Sequence, residues 1–124
     1  MEFLDLQLDE MEVIQHSKPI YDFPAVSFRK YRTNYIAYFN RQAGKEFNDS
    51  PCVKIYANAE YIVFQPVHKK DHHSFTVSYI ASGGGQITCA GLERFRLDNK
   101  NYRLYKTEKG LALKINDPIK TRKV

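Results

Sequence analysis

Apolar and polar residues alternate in short runs along most of this chain, the period of a strand with one buried face. In residues 53–65, VKIYANAEYIVFQ, Val53 and Ile55 lead to Tyr56, a turn of small and polar residues follows at Asn58, and a second apolar run returns. The same order recurs in residues 102–114, YRLYKTEKGLALK, with Tyr102 and Leu104 alternating and Lys109-Gly110 at the turn. Two β-hairpins are predicted.

The recurrence extends upstream. Val26-Ser27-Phe28 is echoed by Val77-Ser78-Tyr79, and Tyr35-Ile36-Ala37 by Gln86-Ile87-Thr88. Each upstream pair of runs reads as a hairpin with one apolar face: Val26 and Phe28 inward with Ser27 and Arg29 outward, then Tyr35, Ala37 and Phe39 on one side. Between hairpins lie short helical segments. RQAGKEF follows Asn40, a good N-cap residue, and carries Ala43 and Phe47 on one face, weakened by Gly44. GLERFRL is its counterpart, with Leu92 on one face.

The expected fold is therefore mainly β, a pseudo-twofold β-barrel of two β-β-α-β-β repeats. The repeats span 25–66 and 75–115 within one domain, 25–115. Residues 1–24 form an N-terminal arm, read as a short strand or an extended segment that Pro19 and Pro24 prevent from continuing as helix. Residues 116–124 are a C-terminal tail carrying Lys120, Arg122 and Lys123. VHKKDHHS, 67–74, reads as the linker between repeats, and Ser82-Gly83-Gly84-Gly85 as a flexible turn equivalent to YRTN. A phosphate-binding loop is excluded there because no Gly-Lys-Ser/Thr follows and the next element is a strand.

Charge changes this picture by being segregated. The net charge is +5, yet residues 1–24 hold six carboxylates against Lys18 and carry −5, while the rest of the chain holds 18 bases against 8 acids and carries +10. A body with that excess favours polyanions or acidic protein surfaces. No apolar run approaches membrane-spanning length and the N-terminus is acidic where a secretory signal is basic, so a cytoplasmic protein with no membrane association is expected.

Candidate chemistry is sparse. Cys52 and Cys89 lie among apolar neighbours and read as small hydrophobes. His68, Asp71, His72 and His73 carry metal-ligand side chains, but adjacent His72 and His73 point apart in an extended chain and zinc needs three or four convergent ligands. No hydrolase motif is present, and neither an enzyme nor a cofactor or metal is expected. Basic residues are placed more suggestively: Arg29, Lys30 and Arg32 flank the first turn, Arg41 and Lys45 lie on the first helix, and Arg94 and Arg96 on its counterpart. Packed about a pseudo-twofold axis, these would form one basic face, with Tyr31, Tyr35 and Tyr38 interleaved for hydrogen bonding or stacking.

The order strand, turn, strand, short helix, turn, hairpin in SFRKYRTNYIAYFNRQAGKEFNDSPCVKIYANAEYIVFQP resembles the swapped-hairpin β-barrels of the AbrB and MazE-like transcription regulators and antitoxins. The usual Gly-Arg turn and following Pro are absent, with Asn34 and Tyr38 at about those places, and residues 83–85 are Gly where the first repeat has Arg32. The resemblance implies a barrel closed within one chain, as monomer or homodimer. It also implies duplex DNA as partner, contacted through Arg29, Lys30, Arg32 and Arg41. The expected function is a non-enzymatic DNA-binding regulator of phage, plasmid or bacterial origin. The alternatives are a protein-binding module, such as an antitoxin or phage-encoded inhibitor, and a single-stranded nucleic-acid binder.

Overall fold

A computed structural model describes residues 3–13 and 21–120. Ten strands and two short helices make up the body. The first repeat contributes β1 (Ala25–Tyr31), β2 (Asn34–Phe39), α1 (Arg41–Phe47), β3 (Cys52–Ala57) and β4 (Tyr61–Val67). The second contributes β5 (Ser74–Thr76), β6 (Ser78–Tyr79), β7 (Gly85–Thr88), a 3-10 helix (Ala90–Phe95), β8 (Asn101–Arg103), β9 (Tyr105–Thr107) and β10 (Gly110–Lys114).

The strands form two antiparallel five-stranded sheets, and each draws on both repeats. Sheet A runs β6-β7-β2-β1-β8 and sheet B runs β5-β3-β4-β10-β9. Segments 74–79 and 101–107 each give one strand to each sheet, bending at Val77 and Leu104. At both bends the backbone N–H leaves its own ladder for a proline carbonyl ahead of a first-repeat strand: Val77 donates to Pro51 at 2.9 Å and Leu104 to Pro24 at 2.9 Å. The mainly β expectation holds, but the strands form two sheets that do not close into one barrel; second-repeat segments run from one sheet to the other at both edges, while first-repeat strands remain unbroken.

The register identifies the repeat and corrects its alignment. Val26 pairs with Tyr102 and Val53 with Phe75, so once Val53 is matched to Tyr102, Val26 is matched to Phe75, and Phe28 to Val77. The sequence echo set Val26 against Val77, an offset of 51, beside 49 in the hairpins, whereas the ladders require a single offset throughout. Ala37 lies opposite Ile87, and Phe64 opposite Leu111, across the two ladders where the repeats meet. Inward alternation holds on both sides, with Val26, Phe28, Tyr35, Ala37, Phe39, Val53, Ile62, Phe64, Ile87, Tyr102, Leu104, Leu111 and Leu113 in one buried cluster. Phe39 packs edge-on against Phe47 of the helix and, across the sheets, against Phe64, while Phe28 packs edge-on against Tyr102 within sheet A.

The helices differ because their caps differ. Asn40 precedes α1, and its Oδ1 accepts from the Ala43 N–H and the Ala25 N–H, both at 3.0 Å, while its Nδ2 donates to the Phe23 carbonyl at 2.8 Å. Cys89 precedes the second helix, makes no side-chain cap, and the segment stays 3-10. Ala43, Gly44 and Phe47 are buried, as the apolar face of α1 predicts for Ala43 and Phe47.

Several expectations are revised. The glycine run is a packing surface rather than a free turn: a methyl group on Gly44 would overlap the Gly83 carbonyl oxygen, and one on Gly84 the Phe39 carbonyl oxygen. Residues 3–13 contain no strand, only a 3-10 turn at Leu8–Glu10, and are exposed. The C-terminal tail is held to the body as far as Ile119, whose N–H donates to the Asn101 carbonyl at 2.7 Å. The readings placed on Pro19, Arg122 and Lys123 lie outside the described residues.

Candidate nucleic-acid interface

β1 and β2 are joined by the two-residue turn Arg32-Thr33, and Arg32 adopts φ +57°. Arg29, Lys30 and Arg32 are all exposed at this end of sheet A. The 3-10 helix of the second repeat packs beside it: Lys30 forms an ion pair with Glu93, whose hydrogen bond holds the Lys30 ammonium above its ordinary pKa. Arg94 and Arg96 flank Glu93 and are exposed. Arg96 ends that helix at φ +53°. The Lys30–Glu93 pair thus sets the turn carrying Arg32 beside the helix carrying Arg94 and Arg96, while Arg29 turns to the outer face of sheet A over Tyr38.

The structure does not bring Arg41 and Lys45 to this junction. Helix α1 starts where β2 ends, beside the first residue of β1, with the Asn40 N–H donating to the Ala25 carbonyl at 3.1 Å. That is the far end of a seven-residue strand from Arg32, about 20 Å at ~3.3 Å per residue. The Arg41 side chain lies instead against Gly83, in the turn before β7. The single basic face expected from the sequence is thus two separate junctions. Each pairs the first turn of one repeat with the helix of the other, and only the Arg32 junction has cations on both parts.

Three guanidinium groups at or beside the Arg32 junction rest on rings. Arg29 lies over Tyr38 at 5.9 Å, Arg32 over Tyr31 at 5.7 Å and Arg94 over Phe95 at 4.8 Å. Tyr35, read from sequence as an exposed stacking residue, is buried: its hydroxyl accepts from the Leu97 N–H at 2.8 Å and donates to Asp98 Oδ1 at 3.3 Å. Burial, together with the nearby Asp98 carboxylate, raises its pKa.

Beyond the junction the outer face of sheet A is polar. The register places Ser78, Gln86, Tyr38, Ser27 and Asn101 in one row across all five strands. A shallow depression of about 770 Å³ opens there, bordered by Ser27, Arg29, Tyr38, Asp98, Lys100 and Asn101. Lys100 is the cation sequence reasoning missed. It sits in the turn DNKN, where a lysine looks like any solvated loop charge, and only the pairing of Ser27 with Asn101 brings that turn beside β1.

The histidine cluster assembles no metal site: no group of three or more His, Cys, Asp or Glu is placed to hold an ion among the described residues. Asp71 pairs instead with Lys54 at 2.8 Å and accepts from the His73 N–H at 2.8 Å; the lysine contact leads in holding its carboxyl below the usual range. Cys52 and Cys89 are both buried and free, and burial pushes the Cys89 thiol up to about 12. No described helix is long and apolar enough to cross a membrane. A scan of protein-family models and searches of curated proteins and of solved structures each return no match to this chain.

Proposed function

We propose that this protein is a small non-enzymatic DNA-binding protein, a transcription regulator that sets the Arg32 junction on the phosphate backbone of duplex DNA. The observation that carries the reading is the backbone at Arg32 and Arg96. Among the described residues the other non-glycine residues at positive φ are Asn48, Asp49 and Asn99, side chains that tolerate that region. Two arginines accept the same strain, one in the β1–β2 turn and one at the end of the helix whose Glu93 pairs with Lys30. Strain retained where a glycine would relieve it is a signature of a working site. The polar row of sheet A beside it offers hydrogen-bond donors to phosphate and sugar oxygens.

The interleaving of hairpins, each sheet taking strands from both repeats, supports the likeness to the swapped-hairpin regulators. The loss of cations from the second turn gives this chain one DNA-contacting junction, so the expected complex has one chain on one short segment without dyad symmetry. A single-stranded target is disfavoured, because Tyr35 is in the core and Tyr31 and Tyr38 already lie beneath guanidinium groups.

Fluorescence anisotropy with labelled duplex and single-stranded DNA across a salt series tests the reading. Duplex binding with log K falling by roughly 0.9 per neutralised phosphate against log salt is expected. Absence of duplex binding at low salt overturns it in favour of a protein-docking surface.

A further inference from the structure

We infer that the acidic N-terminal arm, residues 3–13, folds back on its own body and lies along the outer face of sheet B. The arm is an unusual segment to leave in water. Phe3, Leu4, Leu6, Leu8, Met11 and Val13 are all at least 55% exposed, and they alternate with Asp5, Asp9, Glu10 and Glu12. Ahead of the 3-10 turn at Leu8–Glu10 the chain alternates, so that Leu4 and Leu6 lie to one side and Asp5 to the other where it is extended.

Sheet B presents the complementary surface. Its register aligns Tyr105 with Ala112, Ala112 with Val63, and Val63 with Tyr56, one apolar row across four strands on the face opposite Ile62, Phe64, Leu111 and Leu113, in which Ala112 is buried and Val63 half-buried between the outer rings. Tyr56 and Tyr105 are 53% and 38% exposed, large rings facing solvent. Cations border the row: Lys114 lies over the Tyr105 ring at 4.9 Å and Arg103 at 5.6 Å. Leucines against the row and carboxylates against Arg103 and Lys114 satisfy both sets of groups.

The point of attachment selects this face over the basic Arg32 junction. Arg103 also lies over Phe23 at 4.4 Å, and the Pro24 carbonyl accepts from Leu104, the residue before Tyr105. The arm is therefore tethered beside the start of the apolar row and a full strand length from Arg32. Ten residues separate Val13 from Pro24, and a chain of that length can reach at most about 33 Å at ~3.3 Å per residue, beyond the width of four strands spaced ~4.8 Å apart. Docking of the arm does not depend on DNA binding.

The test is paramagnetic relaxation in the full-length, isotope-labelled protein with a nitroxide attached at Asp5→Cys, the native cysteines being buried. Selective broadening of the amides of Tyr56, Val63, Ala112 and Tyr105 is expected, and its loss when Leu4, Leu6 and Leu8 are all replaced by Ser. These substitutions lie on an exposed arm and leave the core intact. Lys114→Glu should weaken the broadening and high salt should do the same. Three results overturn the proposal. One is uniform weak broadening, which means a solvated arm, and another is broadening centred on residues 29–34, which means docking on the basic junction. The third is broadening that appears only on labelled chains mixed with unlabelled spin-labelled ones, which means a second copy is the acceptor.

Discussion

Gly44 in the first repeat's helix and Gly83 in the second repeat's first turn meet backbone to backbone, with no room for a side chain between them. The contact seats α1 against the turn before β7 and locks the two repeats together at that end. In an isolated helix Gly44→Ala would gain close to 1 kcal/mol from propensity. Here the added methyl must displace the Gly83 carbonyl, and overpacking of that kind typically costs about 1–3 kcal/mol. A net loss of stability is expected, read as a lower urea midpoint, and Gly44→Ala combined with any residue at Gly83 should be worse still because Gly83 itself lies at φ +99°.

Asn40→Ala should be the most damaging single polar change. The side chain caps α1 and also binds the Ala25 N–H and the Phe23 carbonyl, so its loss frees three backbone groups at the start of the central strand pair. Capping alone is worth about 0.5–2 kcal/mol, and the added partners place the expected cost at or above the top of that range. Chemical denaturation of the variant checks it. Asn40→Asp keeps both acceptor bonds but turns a carboxylate oxygen toward the Phe23 carbonyl where the donor stood, so it should recover only part of the loss.

Tyr35→Phe separates the ring from its hydroxyl. The ring fills the core between the sheets, while the hydroxyl is partner to the buried Leu97 N–H. The variant leaves that donor unpaired, at a cost of about 1–3 kcal/mol. Faster amide exchange at Leu97 relative to Leu113 is the local readout.

Alkaline conditions should destabilise the fold in a defined order. Cys89 is raised from its ordinary value to about 12 by burial, and Tyr35 and Tyr102 are raised by burial and by Asp98. A group whose folded pKa is raised keeps its full contribution below its unfolded pKa and loses it as pH climbs toward the folded value. Stability should therefore be level up to about pH 8, fall above it as the unfolded thiol ionises at about pH 8.5, and fall further above about pH 10 as unfolded tyrosines follow. Urea midpoints from pH 7 to 11 test the order, and Cys89→Ala should flatten the first part of the fall alone.

The fold was legible where burial follows alternation. Val26 and Phe28, Tyr35 through Phe39, and both later hairpins expose the period of a half-buried strand, and Asn40 announces its cap. What the chain does not reveal locally is partnership across repeats. The bends at Val77 and Leu104 depend on carbonyls of Pro51 and Pro24, distant in sequence, and the ladders require one offset between the halves, which likeness of side chains did not reveal. The same blindness split the candidate site. Arg41 follows β2 in sequence and looked adjacent to Arg32, but an antiparallel strand returns the chain to the opposite end.

That division gives the sharpest test of the proposed interface. Arg32→Gly and Arg96→Gly each place the residue best suited to positive φ at a position where arginine is strained by about 1 kcal/mol. If these arginines served only the fold, the variants would bind any ligand as well as the parent and be equal or greater in stability. As DNA-binding groups they should show that gain in stability together with weaker duplex affinity, and a salt slope smaller by about 0.9 for each phosphate left without its cation. Arg41→Ala and Lys45→Ala, at the other end of the molecule, should leave both affinity and slope unchanged. A set in which Arg41 and Lys45 matter and Arg32 and Arg96 do not would move the interface to the Gly83 junction and remove the reason for reading strain at Arg32 as function.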